Sequence, residues 1–306
     1  MVDIQATLFR FQQFVFEFGP FFLAAWLGVA LATGLAALTS RQRPGIELPG
    51  AFRRAVPLAW LYQAKAFLLP RPIGAEFSRA NLGAPLIFGI VVSVPALVVT
   101  SLIDMETVYF RLATSALFAL SLGWLVTTGI SRWQGKHQGQ QPQVETASGC
   151  LVSHGDSSAS RNGALRCFAR DTWKSFSGQV DKAALPIIIG FGVASALTIY
   201  IPAYEIRPWL GEDVWQGPYL AALLAMPFQL AGGAEVPLAS ALLVKGASLG
   251  AALSVMLAAP SATFVVLRGI YRSTSLKAVA FYLVAVWIVA GSLGVVANVV
   301  QGLFDG

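Results

Sequence analysis

The side chain best placed to do chemistry is Glu235. It follows Gly232, Gly233 and Ala234, stands two residues before Pro237, and is the only carboxylate between Asp213 and Asp305. A lone negative charge in apolar surroundings is a functional candidate by default. It could carry a proton or hold a cation, whereas as a cap at an aqueous rim it would need no such role. Lys245 can reach a solute or snorkel to an interface. Gln229, Ser240, Ser261 and Thr263 are uncharged hydrogen-bonding groups that can line a path or glue membrane helices together. Soft-metal chemistry has a separate home, because His137, Cys150, His154 and Cys167 are all the His and Cys of the chain. The step from Cys150 to His154 suits a metal, and Cys167 could complete the set. The remaining spacings match no compact zinc motif, so a solvated tether is the other reading.

These residues sit in a chain built for lipid. Apolar residues make up 56% of it and charged ones only 12%, against about 25% in soluble domains. Mean hydropathy is +0.66. That composition disfavours a soluble enzyme, a disordered protein and a nucleic-acid binder. The net charge of +6 lies between apolar blocks rather than on one stripe, so no nucleic-acid partner is expected. Six apolar stretches are long enough to cross a bilayer: roughly 14–38, 84–103, 107–130, 184–204, 249–267 and 278–300. The first is too long for a signal peptide and lacks a basic leader, which predicts a retained helix. Arg111 and Glu17 fall near predicted outer rims and read as anchors.

The polar middle divides the chain into a first membrane repeat (1–130), a cytoplasmic linker (131–183) and a second membrane repeat (184–306). Ala55 to Ala66 reads AVPLAWLYQAKA and Glu235 to Gly246 reads EVPLASALLVKG, so Pro57 and Lys65 answer Pro237 and Lys245. SVPALVV with Pro95 is answered by AAPSATF with Pro260, and one long apolar helix follows each. Seventeen of the 21 Lys and Arg fall in 40–79, 131–183 and 268–277, which the positive-inside rule makes cytoplasmic. Under that assignment corresponding helices run in opposite directions. The repeats are therefore inverted, provided that the Val-Pro-Leu-Ala elements enter and return from opposite sides. Two short helices around the Gly232-Gly233 break are predicted for the second element, with Pro237 in the first turn of the returning half. Broken or re-entrant helices of this kind are where inverted-repeat transporters bind solute.

From Leu185 to Ala297, above all in GGAEVPLASALLVKGASLGAALSVMLAAPSATFVVLRGIY, the chain resembles the ArsP-like (YraQ-type) bacterial permeases. That family includes organoarsenical efflux permeases and a branch associated with copper and zinc efflux. The resemblance implies a two-repeat polytopic permease, often with a polar linker that is rich in Cys and His in the metal branch. Family members commonly carry a thiol just before the motif's Pro. Here those places hold Phe52-Arg53-Arg54-Ala55 and Ala231-Gly232-Gly233-Ala234-Glu235, with no Cys. Glu235 and backbone carbonyls would favour a harder cation or a proton, and Arg53 and Arg54 an anion.

The expectation is an all-α polytopic protein of the bacterial plasma membrane, with two inverted repeats, about six full transmembrane helices and two re-entrant or broken helices. It would move a small ion or a metal- or metalloid-like solute on a gradient, since no Walker motif or other ATPase signature occurs. No cofactor is implied, nor an enzyme. Its partners would be the lipid bilayer, the solute and a possible membrane protein. A non-transporting scaffold derived from a permease is the alternative, which the missing thiols favour.

Overall fold

The computed structural model describes residues 4–42, 94–131, 161–230, 233–273 and 275–305. Among them every regular element is helical. The helices are α1 (Ile4–Gln42), α2 (Val94–Thr100), α3 (Met105–Ser131), α4 (Arg161–Tyr200), α5 (Ala203–Leu210), α6 (Gly217–Ala225), α7 (Glu235–Val244), α8 (Leu249–Ser261), α9 (Phe264–Ser273) and α10 (Leu276–Asp305). Two are long and apolar enough to cross a bilayer, over Met105–Val126 and Leu276–Phe304. A third crossing results if Ala184–Tyr200 and Ala203–Leu210, bent by 109° at Ile201-Pro202, form one broken span.

Aromatic spacing explains how α1 and α4 meet. Phe11, Phe14, Phe18 and Phe22 recur at three or four residues and so share one helix face. All four surround Phe191 of α4, with ring centroids 6.1 to 6.5 Å away. Thr7 and Tyr200 share a 2.7 Å hydrogen bond between their hydroxyls, which makes the pair antiparallel. Helix α4 begins at Arg161, inside the segment expected to be linker. Residues 161–183 are polar but rich in Ala, Arg and Lys, which extend a helix readily.

Helix α8 is the centre of the second half. All thirteen of its residues are buried, as expected of a helix that is apolar all round. Ser248 caps it by accepting from the Ala251 N–H at 3.2 Å. The same residue donates its own N–H to the Leu210 carbonyl at 2.7 Å, so α8 begins where α5 ends. At the opposite end the Tyr282 hydroxyl donates to the Ser261 carbonyl at 3.0 Å. Asn298 donates to Ser248 Oγ at 3.0 Å, and α8 and α10 therefore run antiparallel along their shared length. They cross with Gly250 against Gly294, where a Cβ on either residue would collide with the other's carbonyl oxygen. Close approach of this kind is how membrane helices gain contact without help from water.

The fifth apolar stretch is shorter than expected. Its helix stops at Ser261, one residue after Pro260, and is about 20 Å long against the roughly 30 Å of a hydrocarbon core. Residues 264–267 belong instead to α9, whose polar and apolar residues alternate with helical period. A hydropathy window averages across the break at Ala262 and Thr263 and so cannot register it.

Candidate functional site

The elements expected around the Gly-Gly break are present as α6, extended by a 3-10 turn over Met226–Phe228, and α7. Gly233 has φ of +101°, the left-handed region that glycine enters without strain. A Cβ there would also press on Phe22 of α1 and the Ala96 backbone of α2. This turn sets Glu235 as the first residue of α7, with Pro237 buried in the first turn.

Glu235 is 1% exposed and pairs with Arg111 of α3, which is 0% exposed. Arg111 Nη2 donates to Glu235 Oε1 at 2.5 Å, and Nη1 donates to Thr100 Oγ1 at 2.7 Å. Thr100, the last residue of α2, donates a hydrogen bond from its own hydroxyl to the Ala96 carbonyl at 2.6 Å. The second carboxylate oxygen accepts the Gly233 N–H at 3.1 Å. One guanidinium thus ties the ends of two short helices, α2 from the first half and α7 from the second, to the long helix α3. Taking two such charges out of water is tolerated because each neutralises the other and hydrogen bonds occupy the carboxylate oxygens.

Arg111 is therefore not a rim anchor: it lies in the core with its charge already matched. Glu235 is not a cap at an aqueous rim either. Glu17, the other expected anchor, is exposed. Both Arg111 and Glu235 carried a signal, since Arg111 is the only basic residue between Arg79 and Arg132. Thr100 carried none.

Among the described residues, the other expected site residues do not gather here. Lys245 is the half-buried C-cap of α7, about 15 Å along the helix from Glu235. Ser240 donates to the Pro237 carbonyl at 2.9 Å, and Ser261 to the Leu257 carbonyl at 2.8 Å, each within its own helix. Gln229 is exposed with φ of 52°, Thr263 is half-buried in the break after α8, and Pro260 is buried in the last turn of α8. Pro95 is in α2. Pro57, Lys65, Gly232, His137, Cys150 and His154 lie outside the described residues, and Cys167 falls near the start of α4. No group of three or more metal-binding side chains occurs among the described residues.

The model of the ArsP_1 predicted permease family matches residues 72–299, most of the chain and every residue of the buried network. The chain belongs to that family. The permease is thus a membrane protein of transport type, and its apolar helices agree with that. No curated protein and no solved structure matches it.

Proposed function

We propose that the permease moves a small ion or a metal- or metalloid-like solute across the bacterial plasma membrane, driven by a gradient, and that the contact of α2, α3 and α7 is where its two halves work against each other. The observation that carries this reading is the buried pair of Arg111 and Glu235 at the start of a half-length helix. Replacing a buried ion pair by apolar residues is often neutral or stabilising, so stability alone gives little reason for one at this depth. A pair that must part when solute is admitted would give such a reason. The proposed frame is two inverted repeats with about six crossings, the one through α8 short and sheltered on all sides by protein.

Flux into proteoliposomes, scanned over cations, oxyanions and arsenicals, tests the reading. One solute class should move down its gradient and stop when Glu235 is changed. No flux for any class, together with a co-purifying membrane subunit, would establish the scaffold instead.

Orientation is a separate expectation, with residues 131–183 inside and both ends of the chain outside. Maleimide labelling of intact cells should leave Cys150 and Cys167 unmodified until the membrane is permeabilised. Labelling from outside would contradict the inverted arrangement.

A further inference from the structure

We infer that α9 is a docking surface for the headgroups of anionic phospholipids. Its inner face is settled, because Val266 and Ile270 are buried in the cluster that includes Ala278, Tyr282 and Val286 of α10. Its outer face presents Phe264, Arg268 and Tyr271, and exposed Leu276 and Lys277 follow directly. The Arg268 guanidinium lies 6.0 Å from the centroid of the Phe264 ring, which holds the cation over an aromatic that is itself exposed. A basic residue among exposed aromatics on the outer face of a short helix, with a second, Lys277, at the start of α10, is the pattern of a segment lying in the headgroup layer.

The rest of the molecule places α9 at that depth. It leaves the end of α8 opposite to α5, since Ser248 is bound to Leu210 and Ser261 to Tyr282. Helix α5 and the turn after it expose Tyr204, Trp209 and Trp215 beside Glu205, Glu212 and Asp213. Two amphipathic elements therefore cap the two ends of a buried helix of about 20 Å, one acidic and one basic. A bilayer offers a negative surface to the basic end, and attraction there is about five-fold in affinity per Lys or Arg. An acidic protein segment would match the charges but would leave Phe264 and Tyr271 unexplained. The inference rests on the membrane embedding of the chain and not on which solute it carries.

The full-length permease is purified from nanodiscs of phosphatidylcholine with one part in five phosphatidylglycerol, and retained lipid is measured by native mass spectrometry. Phosphatidylglycerol should be retained in clear excess over its share, and 1 M salt should release it because screening then acts within about 3 Å. Arg268→Gln with Lys277→Gln should lower retention roughly 25-fold, two steps of about five-fold. Arg207→Gln on α5 should leave it unchanged. Equal retention of the two lipids by the unaltered protein, or undiminished retention in the double variant, would overturn the inference. So would displacement of the lipid by an acidic peptide that binds more tightly.

Discussion

Glu235→Gln should abolish transport and remove about 3–5 kcal/mol of stability, the usual effect of breaking a buried ion pair from one side. Gln keeps one acceptor oxygen where Glu offers two, so it can accept from the Gly233 N–H or from Arg111 but turns an NH2 donor toward the other. What it cannot supply is the counter-charge. Arg111 is fully buried, so the variant leaves its guanidinium without a counter-charge in a medium that cannot solvate it. The protein should either open water into the core or loosen the junction of α2, α3 and α7. Thermal unfolding in detergent should show a lowered Tm and proteoliposomes no flux. Lys245→Gln, at the half-buried far end of α7, should change stability by no more than about 0.5 kcal/mol. Normal flux through Glu235→Gln would return the carboxylate to a structural role.

Gly294→Val should disrupt folding through steric contact alone. The first added carbon already meets Ser254 Oγ and the Gly250 carbonyl, both part of the antiparallel crossing of α8 and α10. Ser254 Oγ there donates to the carbonyls of Gly250 and Ala290 at 2.9 and 3.0 Å, and the Gly250 N–H donates to Asn298 Oδ1 at 2.6 Å. Relief requires the helices to separate, which breaks those bonds as well as the packing. Overpacking in a tight core typically costs 1–3 kcal/mol, and about 3 kcal/mol or more is expected here because backbone rather than a flexible side chain must move. Gly302→Ala on the same helix meets nothing within 4 Å and should be neutral or slightly stabilising. Monodispersity after mild heating in detergent separates the two. Equal behaviour would mean that the crossing is not tight.

What could be read from the chain follows from which signals are local. Glu235, Gly233 and Pro237 are neighbours in sequence, and a break followed by a proline and a lone charge marks a half-helix start without any tertiary information. Arg111 was visible as a lone basic residue in an apolar run, but hydropathy gives depth along a helix and not the partner across it, so the nearest rim was the natural place for it. Thr100 is reached only through Arg111. The end of α8 at Ser261 was hidden because alanines before the break and valines after it give one continuous apolar average. The start of α4 at Arg161 was hidden for the reverse reason: its first turns are polar, so an apolar average does not mark them as part of a helix.

The central claim is that the pair of Arg111 and Glu235 serves transport rather than stability, and one variant tests it directly. Arg111→Met combined with Glu235→Leu removes both charges, leaves no buried ion behind, and roughly conserves side-chain volume. A structural pair and a working pair then differ in outcome. Solute flux in proteoliposomes, with Tm measured on the same preparation, should show a double variant as stable as the unaltered permease or more so, and no flux. Flux at the unaltered rate from that stable double variant would contradict the account.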